Sequence, residues 1–198
     1  MRYVALGDSY TIGTSVAPAD RFPDQLVAAL RHSGTPLDLV ANLGVNGYTT
    51  ADLIRDELPA LPGLAPELAT LLIGVNDVVQ GFPLATYEAN IAEILGVLLA
   101  ALPAGRIVAI SIPDYTVTPA GADYGDPAAQ RDAIVAENAA MARLARDHGI
   151  AFVDIFDVSL EAAQDRSLVA DDGLHPSGPQ YARWVERLAP AVETLLSR

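Results

Sequence analysis

The sequence contains a serine, an aspartate and a histidine whose positions are compatible with acyl transfer. Ser9 ends the segment Gly7-Asp8-Ser9, directly after an apolar run, and Asp172 and His175 lie in a turn-like segment near the other end of the chain. A serine hydroxyl is a poor nucleophile until an imidazole takes its proton, and a third group often orients that imidazole. A turn could bring Asp172 to Nδ1 of His175 and leave Nε2 as the base.

The chain has three histidines, and two of them have a structural explanation. His32 and His148 each fall in the last turn of an expected helix, shortly before a glycine. Positive charge is favourable at that end of a helix, and glycine supplies the left-handed cap. His175 instead lies between a glycine and a proline, so it is the histidine that a serine nucleophile would use.

Each candidate also has a purely structural interpretation. Ser9 or Asp8 could cap a short helix that follows the strand. Asp171 and Asp172 could form a solvated turn, because the chain has 25 acidic residues. The segment around Ser9 matches neither a phosphate-binding loop nor a dinucleotide-binding fingerprint. Residue spacing alone leaves both interpretations open.

Acyl transfer also needs hydrogen-bond donors for the developing oxyanion. A glycine in the polar segment 42–49 can present an unobstructed N–H, and the amide of Asn76 in Gly74-Val75-Asn76-Asp77 can add a second donor. Asn-Gly turns and helix caps explain the same residues without catalysis.

An alternation of strands and helices must position these segments. The runs expected to form strands are Tyr3–Leu6, Leu37–Ala41, Leu68–Ile73, Arg106–Ile112 and Ala151–Val153. The segments with helical period are Phe22–His32, Thr50–Leu58, Leu84–Leu102, Pro127–His148 and Ser177–Leu196. This order predicts an α/β fold, a flavodoxin-like three-layer α/β/α sandwich with a five-stranded parallel sheet. Ligands bind at the carboxyl ends of such strands, where Ser9 and Asn76 fall.

Composition restricts the class of protein and its partners. We expect a single domain over residues 1–198, of which 51% are hydrophobic, with no cysteine for disulfides or thiolate metal sites. The net charge of −13 argues against nucleic acid and anionic membranes and favours a neutral or cationic small substrate. The first strand leaves no room for a signal peptide, and no apolar run looks long enough to span a bilayer. We therefore expect a cytoplasmic protein unless the N-terminus was processed.

One irregular stretch, residues 113–126, begins at the carboxyl end of an expected strand and is predicted to border the site. The candidates to line an apolar acyl pocket are Tyr10, Ile12, Tyr48, Val78, Val79, Phe82 and Tyr115, among which Tyr10, Tyr48, Val78 and Tyr115 are preferred.

Four sequence blocks in this order resemble the SGNH hydrolase superfamily, also called GDSL esterases and lipases. The blocks are Gly7-Asp8-Ser9-Tyr10, Asn42 through Gly47 to Thr49, Gly74-Val75-Asn76-Asp77, and Asp172-Gly173-Leu174-His175-Pro176. The resemblance covers nearly the whole chain and implies hydrolysis of carboxylic esters without a cofactor or metal. It implies that Ser9 is the nucleophile, His175 the base and Asp172 the orienting acid.

The same resemblance implies an oxyanion hole formed by Ser9, Gly47 and Asn76. Gly47 is preferred to Gly44 because the family glycine lies two residues before a threonine-like position. Tyr10 replaces the leucine of the name-giving motif. We expect that it does not touch the catalytic groups and that it affects substrate choice rather than the type of reaction.

Two other classes of function are compatible with parts of the sequence. A metallophosphoesterase-like site could use Asp8, Asp77 and His175, although such sites normally need several histidines. A flavodoxin-like binding module could hold a phosphate at Ser9, Thr11 and Thr14. For an esterase, the sequence leaves short-chain esters, lysophospholipids, thioesters and acetylated sugars open as substrates.

Overall fold

The computed structural model describes residues 1–197, which contain a five-stranded parallel sheet. The strands are β1 (Arg2–Gly7), β2 (Asp38–Asn42), β3 (Leu68–Leu72), β4 (Ile107–Ile110) and β5 (Ala151–Val153). Their order in the sheet is β2-β1-β3-β4-β5, and each neighbouring pair is parallel. The predicted flavodoxin-like strand order is confirmed.

Helices cover the sheet on both faces. In the described part of the chain they are α1 (Ser9–Ile12), α2 (Phe22–His32), α3 (Thr50–Asp52), α4 (Leu61–Leu64), α5 (Val75–Val79), α6 (Leu84–Ala101), α7 (Pro127–Asp147), α8 (Phe156–Ser159) and α9 (Gly178–Leu196). Helices α2 and α9 pack together on one face, and α6 and α7 pack together on the other. The sheet is thus the middle layer of three.

The predicted helix Thr50–Leu58 is regular only in its first turn. After α3 the chain forms a π-helical turn over Leu53–Glu57 and then a 3-10 turn that contains Pro59. Proline has no N–H to donate to the carbonyl one turn earlier, so a regular α-helix cannot continue through this point. The π-helical segment ends with the side chain of Glu57 in the interior, where it is 3% exposed.

One helix corrects the expectation that no apolar run could span a bilayer. Helix α6 has 18 residues and a mean hydropathy of 1.4, which suffices by length and composition alone. Five of its side chains belong to the buried core: Tyr87, Ile91, Ile94, Leu95 and Leu98. Core helices of folded domains pass the same test, and one such helix is weak evidence for a membrane span.

Carboxyl groups are buried near the carboxyl ends of the central strands. Oε2 of Glu57 accepts a hydrogen bond from the N–H of Gly7 at 3.0 Å, and the side chain of Glu137 on α7 is also 3% exposed. Burial raises the pKa of Glu57 and of Glu137 to about 9 and that of Asp8 to about 8. The folded protein therefore holds protons on these groups at a pH where the unfolded chain has released them.

The free energy of unfolding should fall as the pH rises from about 5 to about 9, because in that range the folded state binds more protons than the unfolded state. Urea unfolding followed by the fluorescence of the buried Trp184 measures this slope. Glu137→Gln keeps a neutral side chain of similar shape, so it should make the slope shallower. The same substitution at the exposed Glu93 is the control. An unfolding free energy that stays level or rises over this range would contradict the prediction.

Candidate active site

Ser9 is the first residue of α1, and its neighbour Asp8 caps that helix. Oδ1 of Asp8 accepts a hydrogen bond from the N–H of Tyr10 at 3.0 Å. The capping function proposed as an alternative for Ser9 therefore belongs to Asp8. The N–H of Ser9 has no intrahelical partner, because it lies in the first turn. Both the hydroxyl and the N–H of Ser9 remain available to a ligand.

The segment after β2 packs closely against α1 at Gly44. A Cβ atom at this position would lie 2.6 Å from the backbone N of Ile12, so a side chain would push the two segments apart. The N–H of Gly44 donates to Oδ1 of Asn42 at 3.1 Å, and Nδ2 of Asn42 donates to the carbonyl of Thr11 at 2.7 Å. Gly44 thus serves the packing of the loop, and its N–H is occupied.

Gly47 lies three residues later, with a φ angle of +81° and open space where a side chain would project. Within residues 1–197 its N–H donates no hydrogen bond. Asn76 follows β3, and its Nδ2 donates one hydrogen to the carbonyl of Tyr48 at 2.9 Å. The amide has two hydrogens, so one remains for a ligand. Gly47 and Asn76 thus both offer donors, whereas Gly44 does not.

Asp172 and His175 form a hydrogen-bonded pair. Oδ1 of Asp172 accepts from the backbone N–H groups of Leu174 and His175, both at 2.9 Å. Oδ2 of Asp172 accepts from Nδ1 of His175 at 2.6 Å. Asp172 therefore both closes a local turn and holds the imidazole of His175 through a hydrogen bond. Nε2 of His175 stays free to exchange a proton.

Ser15 also donates its hydroxyl to Oδ2 of Asp172, at 2.6 Å. Burial raises the pKa of Asp172, but the hydrogen bonds from Ser15, from the N–H groups of Leu174 and His175, and from the imidazole outweigh it and bring the pKa to about 2. The carboxylate is therefore ionised at neutral pH and can stabilise a positive charge on His175.

These groups surround one cavity with a volume of about 240 Å³. Its lining residues are Ser9, Tyr10, Asn46, Gly47, Val75, Asn76, Val79, Tyr115, Tyr124, Leu174 and His175. The predicted nucleophile, base and oxyanion donors thus lie around the same cavity, and Asp172 lies behind His175. The lining contains no aspartate, glutamate, lysine or arginine.

The predictions for the pocket lining are only partly correct. Tyr10 and Tyr115 line the cavity, but Tyr48 and Val78 do not. Tyr48 contributes its carbonyl, which holds Asn76. Val78 is 5% exposed and belongs to the core. In the same short helix α5, the neighbouring Val79 lines the cavity instead.

The expectation that Tyr10 does not touch the catalytic groups is wrong. Its ring lies 5.6 Å from the imidazole of His175, centre to centre, with the two planes tilted by 58°. The ring also contacts Trp184 of α9, at 6.2 Å. Tyr10 follows Ser9 in the single turn of α1, and its ring lies beside the loop that carries His175. Tyr10 therefore packs against His175 as well as lining the cavity.

The irregular segment 113–126 borders the cavity as predicted. Tyr115 and Tyr124 both line it and pack edge to face, with ring centres 6.0 Å apart. The N–H of Ala120 donates to the carbonyl of Gly173 at 3.0 Å, which joins this segment to the loop that holds Asp172.

The geometry of the described residues does not favour the alternative metal site or the alternative phosphate site. Among residues 1–197, no three histidine, aspartate or glutamate side chains are placed to hold a metal ion. Asp77 is fully buried, and its two oxygens accept hydrogen bonds from the N–H and hydroxyl of Thr50. Thr14 donates its hydroxyl to Oδ1 of Asn46, so it is not free to bind a phosphate.

Sequence reasoning missed five residues at this site, of which Tyr124 lies in the segment 113–126 that was predicted to border it. Asn46, Val75 and Leu174 lie within the blocks already selected and could have been included as neighbours of candidates. Ser15 is different, because it contacts a residue 157 positions away and no motif marks it.

Comparison with known proteins finds solved structures that share this fold. Similar solved structures include LAE5, an alpha/beta hydrolase enzyme from the metagenome of Lake Arreo, Spain, with 22% identity and a TM-score of 0.75, covering 98% of this chain and 95% of that chain. The esterase EstA from Pseudoalteromonas sp. has 16% identity and a TM-score of 0.75, covering 100% and 99%. Axe2, an acetyl xylan esterase from Geobacillus stearothermophilus, has 17% identity and a TM-score of 0.76, covering 96% and 94%.

At such identities these structures show the fold alone. A search of curated protein sequences finds no significant match. The model of the GDSL-like lipase/acylhydrolase family matches residues 5–183, which is most of the chain and includes all four blocks of the sequence resemblance. The chain therefore belongs to the GDSL-like lipase/acylhydrolase family and is a carboxylic ester hydrolase.

Proposed function

We propose that this hydrolase cleaves esters of small, neutral acyl groups through an acyl-enzyme on Ser9. The observation that carries the proposal is the 2.6 Å hydrogen bond between Asp172 and Nδ1 of His175, with His175 and Ser9 on the wall of one cavity. The bond fixes the tautomer of His175, since a proton on Nδ1 leaves the lone pair of Nε2 to accept one.

In the proposed mechanism the hydroxyl oxygen of Ser9 attacks the ester carbonyl carbon and its proton passes to Nε2 of His175. Asp172 stabilises the imidazolium that forms. The tetrahedral intermediate collapses, the alcohol leaves with the proton from His175, and the acyl group remains on Ser9. Water, activated by the same imidazole, then releases the acid and restores the free hydroxyl.

Three donors support the assignment of an oxyanion hole. They are the N–H of Ser9, the N–H of Gly47 and the free hydrogen of the Asn76 amide, and all three residues line the cavity. The hydrogen bond from Asn76 to the carbonyl of Tyr48 holds the amide in place before substrate arrives. Donors fixed in advance stabilise a developing charge without reorganisation during the reaction.

The size and lining of the cavity support a small neutral acyl group. A volume of about 240 Å³ lies below the range of roughly 300–1,000 Å³ that is usual for pockets that bind drug-sized ligands. The valine and tyrosine side chains of the wall favour apolar groups, and the wall has no aspartate, glutamate, lysine or arginine that could pair with an ionised substrate. The net charge of −13 further disfavours anionic substrates.

Ser9→Ala should lower kcat for p-nitrophenyl acetate by about 10⁴-fold or more, because no other group replaces the nucleophile. Ser33→Ala, which changes a serine at the end of α2, should leave kcat unchanged. A serine-directed fluorophosphonate should label the wild-type protein and not the Ser9→Ala variant. Hydrolysis that survives in Ser9→Ala, or that EDTA abolishes, would refute the proposed mechanism.

Asn76→Ala should lower kcat by about 10²- to 10³-fold with little change in KM, because the lost hydrogen bond forms mainly in the transition state. Asn90→Ala is the matched control. Nδ2 of Asn90 donates to Oγ1 of Thr50 at 2.8 Å, and Asn90 does not line the cavity. An unchanged kcat in Asn76→Ala would exclude the oxyanion role.

A series of p-nitrophenyl acetate, butyrate, octanoate and palmitate should give the highest kcat/KM at acetate or butyrate. Val79→Ala enlarges the cavity and should raise kcat/KM for octanoate relative to acetate by several-fold. Val78→Ala removes the same atoms from the core, so it should lower the free energy of unfolding and leave the chain-length preference as it is. A wild-type preference for palmitate, or for acyl thioesters, would overturn the proposed substrate class.

A further inference from the structure

The chain adopts an unusual backbone conformation immediately after the helix that carries Ser9. Ser15 has a φ angle of +64°, in the left-handed region. Among non-glycine residues in the described part of the chain, only Ala65 shares this property, with a φ angle of +42°. Left-handed backbone is unfavourable for residues that carry a Cβ atom, and glycine is the usual residue there.

The side chain of Ser15 makes a contact that glycine could not make. Its hydroxyl donates to Oδ2 of Asp172 at 2.6 Å, and the same oxygen accepts Nδ1–H of His175 at 2.6 Å. The segment therefore joins α1, which carries Ser9, to the residue that orients His175.

The two oxygens of Asp172 each accept two hydrogen bonds, but from different kinds of donor. Oδ1 is held by two N–H groups of its own turn, from Leu174 and His175. Oδ2 is held by the imidazole and by Ser15. Since the imidazole is the group to be oriented, Ser15 is the fixed donor that defines where Oδ2 lies. The hydrogen bond from Ser15 also lowers the pKa of Asp172 more than any other hydrogen bond to that carboxylate.

We infer that Ser15 is a positioning residue for the hydrolytic reaction, which keeps Oδ2 of Asp172 aligned with Nδ1 of His175 through its hydroxyl. The inference rests on the proposed function of Ser9, Asp172 and His175. A serine that served only as a turn residue would be replaced by glycine without loss, because glycine relieves the backbone strain. A purely structural role therefore predicts that Ser15→Gly leaves kcat unchanged, whereas a positioning role predicts that it lowers kcat.

Ser15→Gly should leave the melting temperature unchanged or higher and lower kcat for p-nitrophenyl acetate by about 10-fold or more, with KM nearly constant, because a hydrogen bond to a charged group is lost. Ser15→Asn should recover part of kcat, since asparagine tolerates left-handed backbone and its amide can donate to the carboxylate. Ala65→Gly is the matched control. It relieves the same kind of strain away from the cavity and should leave kcat unchanged.

Two further measurements test whether Ser15 acts through Asp172. Adding Ser15→Gly to Asp172→Asn should lower kcat by less than twofold, whereas independent effects would multiply. In the proton NMR spectrum, Ser15→Gly should shift the downfield resonance of the His175 Nδ1 proton, and Ala65→Gly should not.

Wild-type kcat in the stably folded Ser15→Gly variant would overturn the inference, and so would a multiplicative loss in the double variant. Ser9→Ala is assayed beside them. If Ser9→Ala is inactive and Ser15→Gly is fully active, the positioning role fails and the proposed function stands. If Ser9→Ala remains active, the proposed function itself fails.

Discussion

The position of β1 between β2 and β3 is the constraint on which the candidate site depends. The three strands run parallel, so their carboxyl ends meet at one edge of the sheet. Ser9 follows the central strand, Gly47 follows the strand on one side, and Asn76 follows the strand on the other. Neighbouring strands lie about 4.8 Å apart, so the segments that carry Gly47 and Asn76 lie on either side of Ser9, and all three residues line one cavity.

The proposed base, His175, comes from outside this group of strands and precedes α9. Tyr181 of this helix is fully buried and donates its hydroxyl to the carbonyl of Tyr10 at 2.9 Å. Trp184, one turn later, packs against the ring of Tyr10. The loop that carries His175 leads directly into α9, so the core contacts of the helix determine how close the imidazole lies to α1.

Much of the fold and the main candidates could be predicted from the sequence, because they depend on local pattern. Apolar runs followed by polar turns identify the five strands, and the position of each polar block after a strand places Ser9, Asn76 and the 42–49 segment at one edge. The contact of Ser15 with Asp172 could not be predicted, because it depends on two loops that meet only in the folded chain.

Packing also decides details that pattern leaves open. Helix α5 has three valines in five residues, and their spacing does not say which of them faces the core. Val78 lies in the core, Val75 belongs to the core and also lines the cavity, and Val79 lines the cavity. The π-helical turn that buries Glu57 is likewise a result of tertiary packing. The buried carboxyl of Glu57 accepts a hydrogen bond from the backbone N–H of Gly7 in β1.

The contact between Ser15 and Asp172 joins positions 157 residues apart and also has a consequence for biosynthesis. A ribosome completes β1, β2 and β3 early, so a nascent chain can present the serine and its oxyanion donors before it has a base. Asp172 and His175 are translated only after β5, and α9 must then pack against α2 and the core. On the proposed mechanism, a chain translated only as far as β3 is catalytically inactive, because it lacks the base.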